Sequence, residues 1–110
     1  MNENLNRSAV LEANGKTYFL KEGENLVGRK SPFSIVDVQI ESIDHTISRY
    51  CCKITVFTAP DGTKKAILKK ERSKSPIFVN KIQVLDCDTL WLHDGTEIQL
   101  GTTVLTFRLL

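Results

Sequence analysis

The sequence contains few of the features that mark disulfide-stabilised or membrane proteins. It has three cysteines, Cys51, Cys52 and Cys87, and an odd number with two adjacent residues does not form a disulfide framework. No apolar run approaches the roughly 20 residues that span a bilayer, and residues 1–8 have no apolar signal segment. We therefore expect a protein of a reducing compartment, cytoplasm or nucleus, without a membrane partner.

An excess of charge of one sign is also missing. The chain carries 15 basic and 13 acidic residues, a net charge of +2, which is too balanced for a dedicated nucleic-acid-binding protein. The basic residues are nevertheless concentrated between Lys64 and Lys74. This cluster is typical of a solvated edge strand that lysines protect from aggregation, or it attracts an acidic phosphopeptide from a distance.

Patterns for metal binding or catalysis are absent as well. The cysteines and histidines, His45 and His93 included, follow no Cys-x-x-Cys spacing, and adjacent residues of a strand point to opposite faces. No motif places a base beside Cys51 or Ser48, as a nucleophilic enzyme would require. We therefore expect no metal, no cofactor and no enzymatic activity.

Alternation of apolar and polar residues is the main pattern present. It covers Val36–Ile40, Cys52–Val56, Thr96–Leu100 and Leu105–Leu109, and each segment is typical of a strand with one buried face. No segment holds a 3.6-residue apolar stripe for three turns. A chain of 110 residues has the size of one domain, so we predict a single β-sandwich over residues 8–110 with a flexible tail at residues 1–7.

Turn residues separate the predicted strands. Asp94-Gly95 lies between two apolar segments and predicts a two-residue hairpin. Pro60-Asp61-Gly62 predicts another hairpin, between a strand ending near Thr58 and one around Ala66–Leu68. In a β-sandwich such loops cluster at the two ends, where function usually lies.

Two short motifs carry the functional signal: Val27-Gly28-Arg29-Lys30 and Thr46-Ile47-Ser48-Arg49. An arginine fork can contact two oxygens of a phosphate at once, and a serine hydroxyl can donate to a third. Glycine lets the backbone turn or approach closely beside the arginine. If folding brings the two motifs together, they form a pocket for a tetrahedral dianion.

With these motifs the chain resembles the forkhead-associated (FHA) domains, from about Tyr18 to Leu110. Gly28-Arg29 matches the family's first motif, and Ile47-Ser48-Arg49-Tyr50 matches its Ser-Arg-x-His motif, with Cys51 in place of the histidine. The third motif, Ser-x-Asn-Gly followed by aromatic-Val-Asn-Gly, corresponds to residues 73–81. The closing pattern matches Leu92, Gly95, Ile98 and Leu100-Gly101.

The resemblance implies an FHA-like β-sandwich of about ten or eleven strands in two sheets, with the binding loops at one end. It also implies recognition of phosphothreonine on a protein partner. By correspondence with the family motifs, the residues that would contact the phosphopeptide are Arg29, Ser48, Arg49, Ser73, Lys74 and Ser75. Those that would brace the loops are Gly28, Cys51 and Asn80.

This member of the family is divergent at three positions. Cys51 replaces a bracing histidine, Ser75-Pro76 replaces Asn-Gly, and Lys81 replaces a turn glycine. One interpretation is a pocket that still binds phosphate; the alternative is a degenerate FHA domain that serves as a phosphate-independent interaction scaffold. The motifs also resemble those of DNA-repair scaffolds of the nibrin-like type. We therefore expect a monomeric domain in signalling or the DNA damage response, with the nucleus favoured.

Overall fold

The computed structural model describes residues 7–42, 47–71 and 73–110, and these form eleven strands without a helix. The strands are β1 Arg7–Ala13, β2 Lys16–Lys21, β3 Gly23–Arg29, β4 Val38–Ile40, β5 Cys52–Thr58, β6 Lys64–Lys70, β7 Ile77–Val79, β8 Ile82–Val84, β9 Thr89–Leu92, β10 Glu97–Leu100 and β11 Thr103–Leu109. None of the described residues forms a helix that is long and apolar enough to cross a membrane.

The strands form two sheets packed as a sandwich. One sheet has six strands in the order β2-β1-β11-β10-β7-β8, and the other has five in the order β4-β3-β5-β6-β9. The neighbouring strands run antiparallel except for β3 and β4, which are parallel. The prediction of an all-β, FHA-like sandwich with about ten or eleven strands is confirmed.

The core lies between the sheets and follows from the alternation in the sequence. In β5, Cys52, Ile54 and Val56 are buried, and in β6 the same holds for Ala66 and Leu68. Side chains of the six-stranded sheet meet them, among them Leu11, Leu20, Ile77, Ile98, Leu105 and Phe107. A strand with one apolar face buries that face against the facing sheet, which removes roughly 25 cal/mol of unfavourable hydration per Å².

Of the two predicted hairpins, only one is confirmed. Pro60–Gly62 joins the paired strands β5 and β6, with Gly62 at φ +88°. The hairpin at Asp94-Gly95 is wrong, because β9 pairs with β6 whereas β10 pairs with β7 and β11. The dipeptide does turn, with Gly95 at φ +88°, but it carries the chain from one sheet to the other.

Other expectations need correction. Strand β6, which carries Lys64–Lys70, lies between β5 and β9, so it is not an edge strand. Cys87 is exposed, although free cysteine is usually buried, and it adopts φ +67°. Of the predicted tail, residues 1–6 lie outside the described residues, and Arg7 lies in β1.

The strand pairing brings three loops to one end of the sandwich. Val27 near the end of β3 lies opposite Cys52 at the start of β5, and Cys52 lies opposite Lys70 at the end of β6. The segments that follow β3, precede β5 and follow β6 therefore begin or end side by side. The first predicted phosphate-binding motif lies at the end of β3 and continues into the segment after it, and the second lies in the segment before β5, except for Thr46, which lies outside the described residues.

Candidate functional site

Backbone bonds hold the two predicted phosphate-binding motifs together. The amide of Arg29 donates to the carbonyl of Ser48 at 2.9 Å, and the Arg29 Nε donates to the carbonyl of Ile47 at 3.0 Å. Ile47 is fully buried, while Arg29 and Ser48 are half-buried. The Nε bond fixes the direction of the guanidinium, and the structure records no bond from its terminal nitrogens to the described residues. The fork is thus oriented beside Ser48.

Gly28 makes this close approach possible. A Cβ at this position would lie 1.8 Å from the Arg49 carbonyl oxygen and 2.9 Å from the Tyr50 amide nitrogen. Both are backbone atoms, so rotation of a side chain could not remove the collision. The segment that carries Ser48 and Arg49 therefore packs directly against a strand position that only glycine fits.

Cys51 contacts the strand that carries the first motif. It is fully buried; its amide donates to the Val27 carbonyl at 2.9 Å, and its thiol lies 3.3 Å from the same oxygen. Its carbonyl accepts from the Glu71 amide at 3.2 Å. Cys51 thus links the segment before β5 to β3 and to the segment after β6, at the position where the family has its histidine.

Ser75 lies behind the loop surface rather than on it. It is 1% exposed, and its hydroxyl accepts a hydrogen bond from the Ser48 amide. Its hydroxyl therefore links the segment before β5 to the segment after β6, a bracing role that the sequence analysis did not assign to it. The next residue, Pro76, accepts from the Gly101 amide at 3.0 Å through its carbonyl.

Ser73 presents a buried hydroxyl that bonds to no other group among the described residues. Ser73 lines a polar groove of about 330 Å³, together with Lys74, Ser75 and Asp86. A buried hydroxyl without a partner costs about 1–3 kcal/mol, so a ligand group that bonds to it would gain that amount.

Lys70 braces the same segment and was not singled out in the sequence analysis. Its ammonium group donates to the Ser73 carbonyl at 3.1 Å and to the Glu71 carbonyl at 3.3 Å, and it forms an ion pair with Asp86. Its side chain is only 6% exposed. The signal was available, because Lys70 shares the inward phase of β6 with Ala66 and Leu68.

Tyr50 packs beside the second motif. Burial raises the pKa of its hydroxyl above the usual value, and the neighbouring Glu71 carboxylate raises the pKa further. The hydroxyl therefore stays protonated.

Asn80 stands at the β7–β8 turn, away from the phosphate-binding motifs. Its side-chain carbonyl accepts from the Glu97 amide at 2.9 Å, and its own amide donates to the Glu97 carbonyl at 2.9 Å. Asn80 and Lys81 both have positive φ, +48° and +69°. Lys81 therefore adopts the conformation for which the family uses glycine.

The remaining predicted contacts, Arg49 and Lys74, are exposed on the segments beside Ser48 and Ser73. Sequence analysis missed two exposed apolar side chains in the segment after Arg29: Phe33, 87% exposed, and Ile35, 85% exposed. Ordinary alternation gives no signal for such residues in a loop. Among residues 7–42, 47–71 and 73–110, no group of three potential metal ligands occurs.

Comparison with known proteins agrees with this geometry. The family model for the FHA domain matches residues 25–101. The FHA domain of FhaA, solved in complex with the intracellular domain of another protein, is 29% identical, with a TM-score of 0.71 over 92% of this chain and 100% of that chain. An FHA domain solved for an analysis of phosphothreonine-dependent interactions is 28% identical, with a TM-score of 0.68 over 92% and 95%.

A third structure, the FHA domain of a Chlamydia trachomatis protein, shares the fold at 20% identity, with a TM-score of 0.73 over 92% of this chain and 96% of that chain. The comparison with curated proteins gives no significant match. The family match covers well over half of the chain, from β3 to the turn after β10, and includes both motifs. The chain belongs to the FHA domain family of interaction modules.

Proposed function

We propose that the loop end of this sandwich binds phosphothreonine in a protein partner. The observation that carries the proposal is the direct link between Arg29 and Ser48, with the Arg29 Nε bonded to Ile47 at 3.0 Å. This bond leaves the terminal guanidinium nitrogens to contact two phosphate oxygens. A phosphothreonine carries nearly two negative charges and three strong acceptor oxygens, which suits this cation and hydroxyl.

Neighbouring groups support the proposal. The Ser73 hydroxyl, buried without a partner among the described residues, lies in the groove next to Lys74 and supplies another donor. Exposed Arg49 and Lys74 add positive charge that attracts a dianion. Two relatives, 29% and 28% identical, are solved as a complex with a protein partner and in a study of phosphothreonine-dependent interactions.

One observation favours the alternative of a phosphate-independent scaffold. The amide of Ser48 is bonded to the Ser75 hydroxyl, so this backbone donor is already used inside the protein. The two functions differ in whether the affinity depends on phosphate. We propose a role in signalling, and the DNA damage response in the nucleus is the first setting to test by locating the tagged protein in cells.

The decisive measurement is fluorescence anisotropy with a phosphothreonine peptide library randomised on both sides of the phosphothreonine, alongside its unphosphorylated copy. We expect binding of the phosphorylated library only. Arg29→Ala should weaken it about tenfold to a hundredfold, because a charged hydrogen bond contributes about 1.5–3 kcal/mol. Lys81→Ala, at the exposed β7–β8 turn, is the matched control and should bind as the wild type does.

Arg29→Lys tests whether binding needs the bidentate geometry of the guanidinium group or only its positive charge. Lysine keeps the positive charge but loses both the bidentate geometry and the Nε bond to Ile47, so we expect most of the loss seen with alanine. Equal affinity for the phosphorylated and unphosphorylated libraries would refute the proposal. Full affinity of Arg29→Ala, with an unchanged melting curve, would refute the role of this residue.

A further inference from the structure

The outer face of β5, β6 and β9 carries a cluster that the phosphate site does not use. We call it the β5–β6–β9 face and define it by Phe57, Lys65, Ile67, Lys69 and Trp91. Because β6 alternates, Ala66, Leu68 and Lys70 point into the protein while Lys65, Ile67 and Lys69 lie on the other side. Strand pairing then places Phe57 opposite Lys65 and Ile67 opposite Trp91.

The centre of this face is apolar and aromatic. The Phe57 and Trp91 rings lie 6.0 Å apart between centroids at an interplanar angle of 51°, and the Lys65 ammonium lies 5.7 Å from the Trp91 centroid. Trp91 remains 54% exposed on β9, the edge strand of the five-stranded sheet. Tryptophan is one of the residue types that are enriched in binding hot spots. Trp91 is held in place by its neighbours, and about half of its side chain remains open to a partner.

The cations around this centre are incompletely neutralised. Lys53 and Lys69 lie directly opposite each other on β5 and β6, an arrangement that like charges disfavour. Lys53 has an ion pair with Glu24 at 3.0 Å, whereas Lys65 and Lys69 form none with any described residue. A carboxylate of a partner beside Lys69 would relieve its repulsion with Lys53, and a second carboxylate beside Lys65 would form an ion pair there.

A cavity of about 540 Å³ borders the face. Its apolar lining comes from Trp91, Leu92 and Leu109, and its polar lining includes Lys64, Lys65 and Asp94. Lys64 is paired with Glu22 at 2.7 Å and the Asp94 carboxylate accepts from the Leu109 amide, so Lys65 is the cation of this lining without an ion pair among the described residues. This combination of apolar walls and neighbouring cations suits an apolar side chain that is flanked by carboxylates.

We propose that the β5–β6–β9 face is a second binding surface, which takes an acidic segment of a partner protein with one apolar side chain beside Trp91. Charge complementarity with Lys65 and Lys69 selects the acidic segment. The Trp91 ring is already contacted by Lys65 and by Phe57, which leaves a poor platform for stacking a nucleic-acid base.

This surface is separate from the phosphate site. Strand β6 runs from Lys64 to Lys70, and Lys70 is the residue that braces the segment carrying Ser73. Lys65, beside Trp91, lies five positions from Lys70, or about 17 Å along the strand, whereas Lys69 is next to Lys70 but lies on the opposite side of the sheet. Both surfaces can therefore be occupied at once, and linked binding of one partner at two places raises its overall affinity.

Trp91 is the only tryptophan, so its fluorescence reports on this face directly. The probe is a short synthetic glutamate-rich peptide with one central leucine. We expect a saturable change in Trp91 emission, at equal strength with and without a phosphothreonine peptide present. We also expect no comparable change with the same peptide made with lysine in place of glutamate, or with an oligothymidylate.

Lys65→Glu should weaken this binding at least about fivefold by reversing the charge next to Trp91. Lys81→Glu makes the same change at the exposed β7–β8 turn and is the matched control, expected to leave the affinity unchanged. If Lys65→Glu lowers the melting temperature, Lys65→Gln removes the charge without reversing it and should weaken binding in the same direction.

Any one of the following results would overturn the proposal: no saturable change with the acidic peptide, an equal change with the lysine peptide, stronger binding of the oligothymidylate, or an equal loss in Lys81→Glu. Binding that disappears when the phosphothreonine peptide is added would also overturn it, because the two surfaces would then not be separate. A failure of phosphothreonine binding alone would leave these results unaffected, since Trp91 reports on the acidic peptide itself.

Discussion

Substitution of Gly28 by alanine tests whether the two phosphate-binding motifs need their close approach. The new Cβ would lie 1.8 Å from the Arg49 carbonyl oxygen, whereas Cβ contacts under 3.0 Å essentially never occur. The two segments would have to separate by about 1.2 Å, the difference between 1.8 and 3.0 Å. That movement stretches the bond from the Arg29 amide to Ser48 and the bond from the Cys51 amide to Val27, both 2.9 Å long.

The magnitude follows from these contacts. Overpacking of this kind costs about 1–3 kcal/mol, and each weakened backbone bond costs about 0.5–1.5 kcal/mol. We therefore expect Gly28→Ala to lower the free energy of unfolding by about 2–6 kcal/mol. Small domains have about 5–15 kcal/mol in total, so this loss is a large part of the stability, and the affinity has to be referred to the fraction that stays folded. Displacement of Ser48 from Arg29 should also weaken phosphopeptide binding at least about tenfold.

Urea denaturation gives the free energy of unfolding, and anisotropy at low temperature gives the affinity of the folded fraction. Gly62→Ala is the matched control, because a Cβ there would meet no atom within 4 Å and only the backbone strain at φ +88° applies. That strain costs about 1–2 kcal/mol and should leave binding unchanged. If Gly28→Ala proved as stable as Gly62→Ala and bound phosphopeptide normally, the close approach would not be what holds the site together.

Three further substitutions test residues in the segments that surround the candidate site. Lys70→Ala should lower the free energy of unfolding, measured in urea, by about 1.5–3 kcal/mol, because it removes a buried ammonium that donates to two carbonyls and pairs with the half-exposed Asp86 carboxylate. Lys69→Ala on the outer face should change it little, and equal effects would refute the bracing role. Tyr50→Phe should remove the absorbance change of Tyr50 from an alkaline titration, together with the loss of stability that accompanies it above about pH 10. A raised pKa gives stability that is present below the pKa of the unfolded state and is lost as pH rises through the pKa of the folded state. Lys81→Gly should raise the free energy of unfolding by about 0.5–1 kcal/mol, since φ +69° strains lysine; a lower value would show that the turn carries no strain.

Alternation in the sequence predicted the central strands because burial of one face leaves a signal at every second residue. It located β5, β10 and β11, and the same logic places Lys70 on the inner face of β6. The pairing of strands left no such signal. Asp94-Gly95 fixes a local turn, but whether the next strand joins the same sheet depends on contacts with β6 and β7, which are distant in sequence.

The residues of the candidate site likewise fall into those that the sequence predicted and those that it could not. Gly28, Arg29 and Ser48 could be predicted because each matches a family motif, and the structure places them side by side. The role of Ser75 could not, because it depends on which buried donor faces its hydroxyl, and that donor is the amide of Ser48, 27 residues away. Contacts between loops of this kind leave no periodic pattern in the sequence.

The replacement of the family histidine by Cys51 changes which side chains hold the loops of the candidate site together. An imidazole can bond at both of its nitrogens and so connect two loops. Here Cys51 contacts Val27 through its thiol, and Ser75 bonds to the Ser48 amide, so two short side chains divide the bracing between them. In this arrangement the Arg29 guanidinium keeps its bond to Ile47, but the Ser48 amide is bonded to Ser75 and is not available to a ligand. If the loop end binds phosphate as proposed, the use of this amide inside the protein should lower phosphate affinity by about tenfold or more, because a hydrogen bond to a charged group contributes about 1.5–3 kcal/mol; the charge of Arg29 that attracts phosphate is kept.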